Sequence, residues 1–388
     1  VQTEHYKNSR YIVAGVLTTI SSIYPTFLAG ALGNTLKTDL GIGDQYFGIL
    51  TGCFFIGAMT GSVFLSKFVE TFGARKSILL GLSITIVVNL FLASIARSGL
   101  AFIFALSIAG LANATNQPAV NKLFSKSISK EKLGFAMSAK QSGMPAGAML
   151  GGLAVPAFAL TIGWQWAYVA AGCIATIAWI NIYFLQDSSE SIASKNPPGK
   201  MSSKKSYLVL AAVGGAMAST GSGTLTSWLT SSAEDTGISP KSAGLLLSLS
   251  AFVGICVRLS SGWAADKYPN LRPLRVAGLL LFLGGIGTVL LGPRISGIHI
   301  VAGVVAIGLG WSWPALFNIG VVKANIEAAS AATGITQTGV YFGVFFGPTL
   351  MGFLVENYSY QIGWLTIGLI MICGAFVMNY AGNKIATV

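Results

Sequence analysis

A chain of 388 residues with 53% hydrophobic and 9% charged residues, and a mean hydropathy of +0.70, falls outside the range of soluble globular domains. Its net charge of +12 would suit nucleic acid, but the basic residues are scattered between apolar runs with no basic-aromatic repeat, which excludes that partner. Cys53, Cys173, Cys256 and Cys373 lie in apolar runs at irregular spacing, which excludes a disulfide framework or a metal cluster.

Glu4, His5, Lys7 and Arg10 precede an apolar run too long for a signal-peptide core, so it reads as a first permanent span. Apolar segments then follow at about 11–33, 45–66, 76–95, 99–121, 134–160, 165–185, 206–231, 242–264, 274–292, 298–320, 333–354 and 361–382. Twelve spans imply an all-α integral membrane protein. The stretch 187–205, rich in Ser, Pro, Gly and Lys, reads as a linker between a bundle at 1–186 and a second at 206–388. With the N-terminus inside, 18 cations fall on the cytoplasmic side and four (Lys37, Arg97, Lys241, Arg294) on the other. The positive-inside rule therefore predicts a multi-pass protein of the cytoplasmic (inner) membrane with both termini in the cytoplasm.

An offset of 196 residues relates the two bundles. Gln141-Ser142-Gly143, with Gly147 and Gly151, matches Gln337-Thr338-Gly339, with Gly343 and Gly347. Pro118-Ala119 matches Pro314-Ala315, and Glu70 matches Asp266. A duplicated six-helix unit places a solute site near the midplane between the halves.

Gly262-Trp263-Ala264-Ala265-Asp266-Lys267, with Arg272 and Arg275 beyond, resembles the signature loop between the second and third helices of each half in the major facilitator superfamily. In the first half Ser66, Glu70 and Thr71 stand at the glycine, aspartate and following basic positions, while Gly73 and Arg75-Lys76 are kept. The resemblance implies the major facilitator fold, two pseudo-symmetric six-helix bundles. It also implies gating roles for Glu70, Arg75, Gly262, Asp266 and Lys267 at a cytoplasmic latch. Solvation of a helix end is the plainer reading of Glu70.

Burying a charge costs several kcal/mol unless it is compensated, so ionisable groups inside spans are informative. Lys140 and Arg258 are the two cations inside spans, and all 12 acids fall in loops or near span ends. Lys140 shares a face with Gly143, Gly147 and Gly151, a ridge suited to helix packing, and Arg258 shares one with Gly254, Ser261 and Gly262. Both should therefore turn away from lipid. The superfamily arrangement implies that the fifth and eighth helices face each other, so that one anion could touch both cations. The alternative is that they bond helix carbonyls or snorkel as parts of a gate.

The first, fourth, seventh and tenth helices line the cavity in this family. By that resemblance the candidates are Tyr24; Asn113, Asn116 and Gln117, with Asn121 on the same face; Ser219 and Ser222; and Trp311, Trp313 and Asn318. Gln141, Gln337 and Tyr341 are added from the fifth and eleventh. Any single Ser or Thr can instead bond its own helix.

The arginine four residues before the loop glycine resembles the arrangement in monocarboxylate transporters and oxalate–formate exchangers, although Gly254 stands where animal monocarboxylate carriers keep an acid. Lys140-Gln141-Ser142-Gly143-Met144-Pro145-Ala146-Gly147 resembles a run seen in cyanate-permease-like proteins. The expected function is secondary transport of a small organic anion, a carboxylate, by proton symport or anion exchange. A proton-driven exporter of drugs or metabolites and an inorganic-anion permease are the alternatives. The expectation includes no enzyme activity, no cofactor, no metal and no nucleic acid, but a monomer in lipid with protons as a candidate coupling ion. Neither a His-Glu-x-x-His helix nor a nucleotide-binding loop is present.

Overall fold

In the bilayer core every backbone N–H and C=O needs an internal partner, so apolar runs of about 20 residues become helices. The computed structural model describes residues 2–185, 205–268, 270–325 and 329–385, and these form helices joined by short loops. The first six spans use α1 (Gln2–Ala31), α2 (Gly33–Leu40), α3 (Asp44–Phe64), α4 (Ser66–Phe72), α5 (Ala74–Ser94), α6 (Gly99–Ser127), α7 (Lys130–Ala154) and α8 (Trp164–Tyr183). A π turn at Val155–Ala159, opened by Pro156, extends α7. The second six use α9 (Lys205–Asp235), α10 (Pro240–Lys267), α11 (Pro273–Val289), α12 (Ser296–Gly308), α13 (Trp313–Lys323), α14 (Ala329–Asn357) and α15 (Tyr360–Ile385).

Ten stretches of the described residues are long and apolar enough to cross a membrane. The 21-residue α3 and the shorter apolar α11 bring the spans to twelve. Phe64, Leu100, Phe104 and Val301 are among the large apolar side chains left exposed around the outside, as a lipid-facing belt requires. The expected linker at 187–205 lies outside the described residues apart from Lys205, where α9 starts.

The span expected at 298–320 is present as Ser296–Lys323 but is interrupted: α12 stops at Gly308, Leu309–Ser312 bridge, and α13 restarts at Trp313 with Pro314 in its first turn. Pro314 cannot donate to the preceding turn, and Gly308 and Gly310 weaken the helix before it. Gly73, at φ 82, makes the sharp turn between α4 and α5, in a region where a side chain would be strained.

The two glycine ridges pack equivalently. A Cβ on Gly143 or Gly147 would press on Thr19 or Ile23 of α1, and one on Gly151 would press on the Phe27 carbonyl. A Cβ on Gly339, Gly343 or Gly347 would overlap the carbonyls of Ala212, Ala216 and Thr220 on α9. Small residues here allow backbones to approach closely, the main source of helix association where lipid removes the hydrophobic driving force.

Between the two sets of six spans, contacts concentrate at the end remote from the chain termini, here called the distal end. Thr230 Oγ1 donates to Gly30 O at 3.0 Å, Asn34 Nδ2 to Glu234 Oε2 at 2.8 Å, and Gln45 N to Glu356 Oε2 at 2.7 Å. Phe47 meets Trp228 edge-on at 5.1 Å, and a Cβ on Gly352 would lie 2.5 Å from Asp44 O. In contrast, α6 and α13 pack only within their own set of spans, extensive contacts across the boundary being absent among the described residues. The distal end is the closed one.

Gly343→Ala should lower the melting temperature in detergent, because overpacking at a backbone contact costs about 1–3 kcal/mol. Gly334→Ala, where a Cβ meets nothing within 4 Å, should leave it unchanged. Equal melting of the two variants would show that the α9–α14 approach is not close.

Candidate functional site

Midway along the spans lies a central cavity of about 100 Å³, walled by α1, α3, α7, α9, α13, α14 and the α12–α13 break. Its apolar wall includes Ile23, Phe27, Phe55, Met144, Phe317, Val340 and Val344. Phe27 meets Trp311 edge-on across the two sets of spans at 5.4 Å. The polar wall is made of neutral groups. Gln337 Nε2 donates to Asn318 Oδ1 at 2.9 Å, and Trp313 Nε1 to Ser222 Oγ at 3.3 Å. The buried Ser219 Oγ, also on the wall, has no partner among the described residues.

Of the fourteen side chains expected to bind solute, eight line this cavity: Gln141, Ser219, Ser222, Trp311, Trp313, Asn318, Gln337 and Tyr341. Six do not. Tyr24 donates to Leu150 O at 3.3 Å, which ties α1 to α7. Asn116 donates to Ser22 Oγ at 2.8 Å, and a Cβ on Gly81 would lie against its amide, so it is held among α1, α5 and α6. Asn113 accepts from Gln117 Nε2 at 3.3 Å one turn away. The polar face of α6 thus makes its bonds within the bundle, and Asn116 Oδ1 has no partner among the described residues.

The remaining two, Lys140 and Arg258, stand behind the wall. Each is almost fully buried, at 2% and 3% exposure, so neither reaches bulk water. Lys140 Nζ donates to Asn121 Oδ1 at 2.7 Å and to Gln117 O at 3.3 Å, both on α6. Arg258 Nε donates to Trp311 O at 3.2 Å, and one terminal nitrogen makes a second bond to that carbonyl. The other terminal nitrogen donates to Gln141 O at 3.0 Å, across the boundary on α7. The guanidinium also lies 4.9 Å from the Trp311 ring, in cation–π range. Both cations therefore bond oxygen atoms of neutral groups, as the backbone-bonding alternative foresaw, and no carboxylate contacts them among the described residues. Instead of sharing one open position, Lys140 holds Asn121 and Gln117 on α6, while Arg258 holds the carbonyls of Trp311 and Gln141.

Arg258 and the break in the tenth span explain each other. Where α12 ends, Trp311 O has no helical N–H to accept, and the planar fork supplies two donors. Ser312 Oγ donates to Gly254 O on α10 at 3.3 Å and adds a second tie. The result fixes Trp311 against Phe27 at the cavity mouth of the break. The sequence carried a signal for this in Gly308, Gly310 and Pro314 within one span. The apolar wall left no comparable signal, since Phe27 and Phe317 look like any other span residues.

The gating candidates are spread over the terminal end. Side chains of Glu70 and Asp266 lie outside the described set. Arg75 Nε donates to Ile182 O at 3.3 Å and a terminal nitrogen to Tyr183 O, capping α8 within its own bundle. Lys267 lies 4.4 Å from the Trp263 ring. A Cβ on Gly262 would lie 3.3 Å from Ser138 Oγ, so this glycine sits where α7 and α10 approach. One symmetric feature was unforeseen. Lys122 Nζ donates to Val69 O at 3.1 Å and Lys323 Nζ to Ala265 O at 3.4 Å, acceptors that are 196 residues apart.

Residues 12–338 match the sequence profile of the Major Facilitator Superfamily. The uncharacterized transporter YycB of Bacillus subtilis (strain 168) is 23% identical over 386 residues, spanning 97% of this chain and 93% of the relative. The 4-hydroxybenzoate transporter PcaK of Pseudomonas putida is 29% identical over 135 residues, 33% of this chain and 30% of that protein. A crystal structure of a bacterial homolog to the human lysosomal transporter Spinster, inward-facing and unoccupied, superposes with a TM-score of 0.73 at 12% identity, covering 98% of both chains.

In a background without native cysteines, Gln337→Cys and Asn318→Cys should react with a water-soluble thiol reagent applied at the terminal face. Asn113→Cys and Tyr24→Cys should react roughly tenfold more slowly. Equal rates, or faster labelling from the distal face, would contradict the cavity wall and the closed end.

Proposed function

This chain belongs to the Major Facilitator Superfamily, and on that premise we propose that it carries a small organic anion, a carboxylate with a planar or aromatic body, by alternating access across the cytoplasmic membrane. The observation that carries the reading is the pair of buried cations, Lys140 and Arg258, flanking an aromatic- and amide-walled cavity, with neutral oxygen atoms as their partners among the described residues.

Neutral carbonyls solvate a cation without cancelling its charge. Two unit charges about 4 Å apart attract by about 4 kcal/mol at an effective dielectric of 20, so an anion entering beside Gln141 gains an attraction that water would have screened. Three of the five N–H groups of Arg258 are bound to Trp311 and Gln141, and the fork keeps two for a carboxylate. Trp311, Trp313, Phe27 and Tyr341 suit a ring through edge-to-face packing. The partial similarity to 4-hydroxybenzoate transporters supports the same class of cargo. With 18 cations assigned to one side and four to the other, the terminal face is cytoplasmic, and the closed distal end then makes this the inward-facing state.

A thermal-shift panel should raise the melting temperature with benzoate and 4-hydroxybenzoate, and not with the corresponding alcohols. Uptake into proteoliposomes should fall by tenfold or more in Arg258→Lys, which keeps the charge and loses the fork, and be abolished in Arg258→Ala. No shift with any carboxylate, or wild-type uptake by both variants, would refute the reading.

A further inference from the structure

We propose that two carboxylates, Glu356 and Glu234, form the clasp that holds the distal end shut, and that their release admits the opposite, distal-open state. The proposal concerns how the carrier is held closed, so it stands apart from the nature of the cargo.

Both acids occupy the unfavourable end of their own helix. Glu356 lies in the last turn of α14 and Glu234 in the last turn of α9, and neither turn includes a basic residue. A helix C-terminus carries partial negative charge and disfavours a carboxylate there. A local rule broken twice at one end of the molecule calls for compensation from elsewhere.

The compensation comes across the boundary. Helix α3 begins at Asp44 behind Gly43, an N-cap with no side chain to bond the first free N–H groups. Glu356 fills that role from the second set of spans: its Oε2 accepts from Gln45 N at 2.7 Å. A Cβ on Gly43 would lie 2.8 Å from the same oxygen, so the bare cap leaves the space that the carboxylate takes. One turn back on α14, a Cβ on Gly352 would lie 2.5 Å from Asp44 O, so the two helices meet closely. Lys37 pairs with Asp44 at 2.6 Å and cancels an acid that would otherwise repel Glu356. The positive end of the α3 dipole thus receives the charge that the end of α14 disfavours.

Glu234 repeats the arrangement on α9. Its Oε2 accepts from Asn34 Nδ2 on α2 at 2.8 Å, one turn beyond the Thr230–Gly30 contact. Beside it Asp235 pairs with Arg294 at 2.9 Å, which fixes the end of α9 within its own set of spans. Each carboxylate therefore sits one turn beyond a close backbone approach, where separation of the two sets removes its partner. After separation α3 loses its cap, and each acid faces only its own helix end. The clasp adds to the closed state alone, and only such differential contacts shift a two-state equilibrium.

The test uses the full-length protein in sealed vesicles of known orientation, with native cysteines replaced and Ser227→Cys as reporter. Ser227 is buried, and a Cβ on Gly30 would lie 2.8 Å from its Cα, so the closed end seals it. A membrane-impermeant methanethiosulfonate applied at the distal face should label it only when that end opens. Rates are taken relative to Gly297→Cys, an exposed distal position where an added Cβ meets nothing within 4 Å. Glu356→Gln should label about threefold faster than the parent, and the double variant with Glu234→Gln about tenfold faster. Asp39→Asn, whose carboxylate accepts from Trp164 Nε1 at 2.6 Å within one set of spans, should label at the parent rate. High salt should also speed labelling of the parent itself, which needs no substitution in the clasp. Parent-like labelling of the double variant, equal acceleration by Asp39→Asn, or a parent rate indifferent to salt would each overturn the proposal. None of these readouts involves a bound anion, so the carboxylate reading stands or falls separately.

Discussion

The guanidinium of Arg258 joins three pieces of backbone: its own helix α10, the break at Leu309–Ser312, and the carbonyl of Gln141 on α7. A broken helix inside a membrane leaves carbonyls without partners, and several kcal/mol are lost for each unless something donates to it. The fork meets that requirement, and so makes the break tolerable. The break in turn turns Trp311 and Trp313 onto the cavity wall. Moving Arg258 thus disturbs the tenth span, the aromatic wall and the link between the two sets of spans at once.

Around this point the chain is a duplicated scaffold with a departure on one side. The glycine ridges pack α7 on α1 and α14 on α9 alike. Lys122 and Lys323 donate to equivalent carbonyls, Val69 and Ala265. The fourth–fifth and tenth–eleventh span pairs each carry a bond between side chains 19 residues apart, Lys140 to Asn121 and Gln337 to Asn318. The first member is an ionisable amine in one pair and a neutral amide in the other. The two contacts are one residue out of register: the 196-residue offset pairs Gln337 with Gln141 and Lys140 with Thr336, so the second half carries no ionisable group at the Lys140 position.

Much of this was legible from residues alone. The spans follow from runs of about 20 apolar residues, and Gly143, Gly147 and Gly151 announced a packed ridge that carried Lys140 inward. The division of polar residues between cavity and bundle was not legible. Asn113, Asn116 and Gln117 form a regular polar stripe on α6, yet partners such as Ser22 on a distant helix absorb it. Periodicity identifies a face; which neighbour meets that face depends on the three-dimensional packing. Phe27 was hidden for the same reason, since its pairing with Trp311 joins residues 284 positions apart. The break in the tenth span lay between these cases, with Gly308, Gly310 and Pro314 marking where a helix weakens but not that Arg258 would stabilise the gap.

Calorimetric titration of the purified protein with benzoate and with benzamide tests the charge argument most directly, because the two share a ring and differ in charge. Two cations whose partners among the described residues are neutral oxygens should bind the carboxylate with at least a hundredfold preference, about 2.7 kcal/mol. Equal affinity for the amide would mean that the carbonyls already satisfy Lys140 and Arg258, and that the cavity selects its guest by shape rather than by charge.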